Sequence, residues 1–197
     1  MGLILASGSP RRRQMLERCG IPLADIRPAN IDESRRAGEA PVAYARRLAV
    51  EKASAIPAAG HWVLSADTVV HIDDQIFDKP TDDDDAFRIL RGLSGGWHEV
   101  TSAWCLQWGG GPPVPVALRS VEHVTTRVRC RDLTDEEIHN YILSGESRDK
   151  AGAYGIQGLG AVLVAEVQGS YTNVVGLPLE PVMAALTRAG FSPKVME

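Results

Sequence analysis

A chain of 197 residues, 44% hydrophobic and 23% charged, has the make-up of an ordinary folded domain and enough length to bury one substantial core. A net charge of −4 argues against a protein whose main task is gripping nucleic acid, which needs a basic surface. Three widely spaced cysteines, Cys19, Cys105 and Cys130, form no C-x-x-C pair, so neither a disulfide framework nor a zinc knuckle is expected. No stretch approaches the length of a membrane span, and the first residues do not read as a secretory signal, because the charges follow a very short apolar run. The expectation is a cytoplasmic protein with buried, inert thiols.

In chain order, Leu3–Ala6 is a short buried strand. A helix follows from Pro10 to about Cys19, with Ser9 as N-cap, proline at the first helical position and Gly20 as the stop. Val42, Ala45, Leu48, Ala49 and Ala53 recur at helical spacing, which predicts a helix from Pro41 to about Ala55. Trp62–Ile72 is a strand, Asp73-Asp74 turns it into Gln75–Phe77, and a third helix starts at Thr81. Trp97–Trp108 and Val114–Cys130 are strands joined by Gly109-Gly-Gly-Pro-Pro, a hairpin loop. Thr134-Asp-Glu-Glu137 is a capping box opening a helix through Leu143. A glycine-rich segment, Ala151–Gly160, precedes a strand at Ala161–Val167 and a last helix from about Leu179 to Ala189. The expected architecture is one α/β domain over residues 1–197, a mixed sheet with flanking helices.

Four places carry chemistry. Ser7-Gly-Ser-Pro-Arg-Arg-Arg13 puts hydroxyls, a glycine and three arginines at a helix N-terminus, where unpaired N–H groups favour anions. Successive helical residues point about 100° apart, so only one or two of Arg11, Arg12 and Arg13 can face a ligand. The same stretch also reads as a capped surface helix. Asp67 sits inside an apolar strand, where a carboxylate is costly unless it is paired or put to use. Lys52 borders the buried face of the second helix, and Lys79 is held extended before Pro80; with Arg12 they could neutralise a polyphosphate. In the glycine-rich segment Gln157 offers both a donor and an acceptor, as a base-recognition loop or a plain tight turn. The run Asp82–Asp85 complements a helix dipole and is not read as a metal site.

The motifs S-G-S-P-R-R, A-D-T, K-P, L-S-G-x-x-H-x-V at Leu93–Val100, D-K-A-G-A-Y-G-I-Q-G and G-S-Y-x-x-V-V-G-L-P occur in order from Leu3 to about Leu186. In this the chain resembles the Maf (septum-formation inhibitor) family. The resemblance implies an inosine-triphosphatase-like (Maf/Ham1-like) fold with two lobes around a cleft. It implies a nucleoside triphosphate pyrophosphatase of the cytoplasm that cleaves between the α- and β-phosphates with a divalent cation, Mg²⁺ or Mn²⁺, with house-cleaning of nucleotide pools and a link to cell-division arrest. A homodimer is expected, with neither nucleic acid nor membrane as a partner. By resemblance the catalytic acid/base maps onto Asp67 and the substrate-selective positions onto Arg11, Thr68 and Gln157, a combination similar to the branch acting on dTTP and UTP. Ser7, Arg12, Lys52 and Lys79 are the residues expected on phosphate, and Glu33 joins Asp67 as a metal carboxylate. Asp78 departs from the Glu commoner before Lys-Pro. Alternatives are the same reaction on 7-methyl-GTP or another base, and a non-catalytic nucleotide sensor.

Overall fold

The computed structural model describes residues 1–111 and 118–193. It contains strands β1 (Leu3–Leu5), β2 (Leu23–Ile26), β3 (Trp62–Ile72), β4 (Gln75–Phe77), β5 (Trp97–Trp108), β6 (Arg119–Cys130) and β7 (Val164–Gln168). The helices are α1 (Pro10–Arg18), α2 (Pro41–Ser54), α3 (Asp83–Leu93), α4 (Asp135–Leu143), α5 (Tyr171–Val175) and α6 (Leu179–Arg188). Short 3-10 turns cover Ala151–Ala153 and Gly158–Leu163. The strands form a mixed sheet in the order β2-β1-β3-β5-β6-β7, with β4 pairing off β3. β1 runs parallel to both β2 and β3, while β3/β4 and β6/β7 are antiparallel. The mixed sheet with flanking helices matches expectation.

The chain divides into two compact units, one of Met1–Asp67, Ser102–His123 and Gly176–Glu197, the other of Thr68–Thr101 and Val124–Val175. In the first, Leu3, Ile4, Leu5, Leu16, Ile21, Leu48 and Leu64 are sealed from water. Trp62 and Trp108 meet edge to face with centroids 5.5 Å apart, an arrangement that favours the positive ring edge on the negative face. Gly109 is required there, because a Cβ would fall on the carbonyl of Ala58. In the second unit α3 and α4 pack together, and Ile89, Leu90, Leu93, Val100, Val128, Ile138 and Ile142 make the core. Cys105 and Cys130 are buried and Cys19 is half-buried; all three are free thiols. Burial pushes the Cys105 and Cys130 thiols up to about 11, because the thiolate would lose its hydration.

Three expectations need correction. The third helix starts at Asp83 and not Thr81: the Asp82 side chain accepts the Asp85 N–H at 2.7 Å and takes the cap. The strand expected at Ala161–Val167 begins at Val164, because Ala161–Leu163 continue the 3-10 turn opened by Gly158. The strand expected from Val114 is strand from Arg119; residues 114–117, like Pro112 and Pro113 of the hairpin loop, lie outside the described residues. β2, α5 and both 3-10 turns are further elements the sequence reading does not contain.

Candidate active site

Five of the expected residues share one neighbourhood in the first unit. β1 delivers the chain to Ser7, which is buried, and α1 begins three residues later. Ser9 stands at the N-cap, but its side chain does not cap the helix; its own N–H is held by the Ser7 hydroxyl at 3.2 Å. That hydroxyl also accepts from Arg12 Nη1 at 3.1 Å, and Arg12 Nε donates to the Gly176 carbonyl at 2.8 Å. Arg12 is thereby fixed at two points. Desolvation pulls its guanidinium below the ordinary value and the neighbouring Arg11 adds to this, while Asp67 and Glu33 oppose it. Arg13, one residue on, points away: it pairs with Glu17 at 2.7 Å and is more than half exposed.

Lys52 is the hub of the cluster. Its ammonium donates to Asp67 Oδ1 at 2.7 Å and lies 3.0 Å from Glu33 Oε2. Both partners are placed from α2. The Ser65 hydroxyl donates to the Ala49 carbonyl, tying β3 to the helical turn that carries Lys52. Tyr44 donates its hydroxyl to the Glu33 carbonyl at 2.7 Å, and Arg47 Nη2 donates to the Ser34 carbonyl at 3.0 Å, so the loop before α2 is strapped down. Arg47 in turn grips both carboxylate oxygens of Glu39 at 2.7 and 2.8 Å, which holds that carboxyl down to about 2. The Arg47–Glu39–Glu51 network is absent from the sequence reading, although Arg47 and Glu51 stand four apart on one helix, the spacing at which such pairs meet.

Asp67 is buried on a strand that neighbours β1 and β5, so it is not on a solvated sheet edge. Among the described residues its Oδ2 accepts no side-chain hydrogen bond, while Oδ1 is committed to Lys52. The pairing explains how a carboxylate is tolerated there. Asp67 and Glu33 converge on a single cation, and no group of three or more His, Cys, Asp or Glu side chains is gathered among the described residues.

The other expected residues belong to the second unit, apart from Arg11, which is half-buried on α1. Thr68 follows Asp67 on β3 and is half-buried. Lys79 is exposed in the extended segment after β4. Gln157 is half-buried at the cap of the Gly158–Leu163 turn. Asp82–Asp85 serve as cap and first turn of α3, in line with the dipole reading. Asn173 was hidden as an unassigned position of a motif: it is sealed from water and donates to the Val100 carbonyl at 2.8 Å and to Thr126 Oγ1 at 3.0 Å. An amide inside an apolar Tyr-Thr-Asn-Val-Val run was its only signal. No helix among the described residues is long and apolar enough to cross a membrane.

The chain is similar to a dTTP/UTP pyrophosphatase of Nitratidesulfovibrio vulgaris, with 47% identity over 95% of this chain and 88% of that one. It is 50% identical to a dTTP/UTP pyrophosphatase of Anaeromyxobacter dehalogenans, over 96% of this chain and 94% of the other. Among solved structures, a HAM1 protein from Coxiella burnetii aligns with a TM-score of 0.49 at 16% identity, covering 95% of this chain and 99% of that chain. The Maf-like protein description matches residues 2–189, and the chain belongs to that family.

Proposed function

We propose that this chain is a nucleoside triphosphate pyrophosphatase that hydrolyses dTTP and UTP to the monophosphate and pyrophosphate. The observation that carries the reading is the Arg12, Lys52, Glu33 and Asp67 cluster, in a chain half identical to proteins bearing that activity in their names. Cations to hold phosphate oxygens and a placed carboxylate to handle a water are what α–β cleavage needs. Water attacks the α-phosphorus, its proton passes to Asp67, the bond to the bridging oxygen breaks, and pyrophosphate leaves. Lys52 occupies Oδ1, so Oδ2 is the oxygen available to the water. Lys52 donates to Asp67 and forms an ion pair with Glu33, and its ammonium, with three donors, keeps one for a phosphate oxygen. Ser7 and Arg12 complete the phosphate contacts of this cluster, and Lys79 is the phosphate contact proposed for the second unit.

The donor set suits a hard divalent ion. Two carboxylates converging on one cation are the protein share that Mg²⁺ commonly takes, with substrate phosphates and water supplying the rest. Glu33 and Asp67 would hold Mg²⁺ or Mn²⁺, which supplies charge to offset that building on the leaving pyrophosphate. For the base, Gln157 offers an amide donor and acceptor to the carbonyl and N–H edge that uracil and thymine share, and Arg11, which only donates, disfavours the amino group of cytosine; Thr68 is the third selective position. A cytoplasmic homodimer, with no nucleic-acid or membrane partner, completes the reading. The test is a panel of nucleoside triphosphates with Mg²⁺ or Mn²⁺. Monophosphate and pyrophosphate should appear in equal amounts, fastest from UTP and dTTP. Orthophosphate as the only phosphate released would overturn the assignment.

A further inference from the structure

The loop that carries Gln157 is tied down on both sides by two side chains with no assigned role. On the near side, the Gly155 N–H donates to the Tyr141 hydroxyl at 3.2 Å. On the far side, the Leu159 N–H donates to Glu146 Oε2 at 2.9 Å. Between these bonds the chain folds back on itself. Gly160 lies so close to the Gly155 carbonyl that a Cβ there would land on its oxygen, and Gly158 takes a φ of +66, where a Cβ would press against the Glu146 carboxylate. Gln157 is the apex of this closed loop. Behind it, Tyr154 anchors the entrance through a buried 2.7 Å hydrogen bond to His98 Nε2, and Lys150 Nζ donates to the Glu146 carbonyl. Tyr141 lies in the last turn of α4 and Glu146 three residues beyond its end; the capping box fixes the start of that helix, and its Ile138, Tyr141 and Ile142 are core residues.

The two tethers differ in kind. Tyr141 is buried, and burial raises its phenol well above the ordinary value, so it stays a neutral hydroxyl that accepts from Gly155. Glu146 is half-buried and gives a carboxylate oxygen to a backbone N–H, a charge-assisted bond and the stronger of the two. Neither is explained by packing alone. Phenylalanine would fill the Tyr141 site, and Glu146 is not a core residue. A side-chain amide distinguishes a carbonyl from an amino group only if its own orientation is fixed, since rotation exchanges its donor and acceptor.

We propose that Tyr141 and Glu146 are positioning residues for substrate selection, holding the Gln157 loop so that its amide presents one fixed edge to the pyrimidine base. This rests on the reading of Gln157 as the residue that meets the base. The experiment measures kcat/KM for UTP and CTP in the full chain, with thermal melting to verify folding. Variants are Gln157→Ala, Tyr141→Phe, Glu146→Ala, Glu146→Gln, and Tyr141→Phe and Glu146→Ala each combined with Gln157→Ala. The expected result is that Gln157→Ala, Tyr141→Phe and Glu146→Ala each lower the UTP:CTP ratio by about five- to tenfold, the scale of one lost hydrogen bond. The loss should fall mainly in KM for UTP. Glu146→Gln, which keeps an acceptor oxygen, should restore most of the ratio, and neither tether variant should lower it further once Gln157 is alanine.

If Gln157→Ala lowers the ratio while folded Tyr141→Phe and Glu146→Ala leave it unchanged, the tethers do not position the loop, and the role of Gln157 stands. Tether effects that add to Gln157→Ala, or that slow both nucleotides equally, overturn the proposal as well. If Gln157→Ala itself leaves the ratio unchanged, the base-reading role fails and the proposal falls with it. Should Tyr141→Phe not fold, the Glu146 pair decides the matter alone.

Discussion

In the first unit Lys52 lies between Asp67 and Glu33, with Arg12 nearby, and every one of these groups is ionic. In the second unit His98, Tyr154, Asn173 and Thr126 are all buried, and their hydrogen bonds run between neutral groups. The contrast follows exposure and pairing: Lys52 and Asp67 keep only 11% of their side chains in water, and each faces the other's opposite charge. Glu33 keeps 49% of its side chain in water, whereas His98 and Asn173 keep 2% and 0% of their surface. Charge survives where solvent or an opposite charge reaches it. Where only position is needed, burial forces neutrality: His98 is pushed down to about 4 and Tyr154 well above its ordinary value, both by loss of hydration. One unit is built to meet charge and the other to hold shape.

Four substitutions or conditions test that contrast, beginning with the largest effect. Asp67→Asn keeps the shape and removes the base, so kcat for UTP should fall by roughly a thousandfold, within the range seen when a general base is removed, with folding intact by melting. Lys52→Met leaves two carboxylates facing each other without their cation, at a cost of about 3 kcal/mol in denaturant unfolding. Mg²⁺ should stabilise that variant more than the native chain. Equal stabilisation would show that the carboxylate pair is not where the ion sits.

The third test is pH. His98 has a folded value of about 4 against 6.5 unfolded, so between those values the unfolded chain binds the proton and the folded one does not. Stability should therefore decline as pH drops below 6.5 and stop declining on this account below about 4, a total near 3 kcal/mol. Glu39, held down to about 2 by Arg47, adds its own loss at lower pH, between 4.5 and 2. Urea unfolding of His98→Gln against the native chain isolates the histidine contribution. A pH curve that does not change would place the proton elsewhere. The smallest effect belongs to Arg13→Ala, which breaks an exposed pair with Glu17: less than about 0.5 kcal/mol and no change in kcat.

The sequence was readable wherever local signals were strong. β3, β4 and β5 are long or sharply bounded, and their ends match to the residue; the capping box placed α4 equally well. β2 escaped because Leu-Ala-Asp-Ile is half-exposed, without clean alternation, and is a strand only because β1 pairs with it. α5 escaped because Tyr-Thr-Asn-Val-Val favours a strand, and the Asn173 hydrogen bonds outweigh that preference. At the site, Lys52 and Asp67 could be named from local context, whereas Glu33, and Arg12 over its neighbours, came only with the family resemblance. That Lys52 is shared by both carboxylates could not be read from either, since the three residues lie in separate stretches and only the fold brings them to one nitrogen.

The thiols have a practical side. Cys105 and Cys130 are sealed in β5 and β6 and hold their protons at neutral pH, while Cys19 closes α1 with its side chain within reach of water. A maleimide dye added to the native chain therefore finds a single address. It lies at the far end of the short helix whose first turn carries Arg11 and Arg12. The unmutated protein comes ready for one-site labelling, with a reporter about two helical turns from the residues proposed to meet the nucleotide.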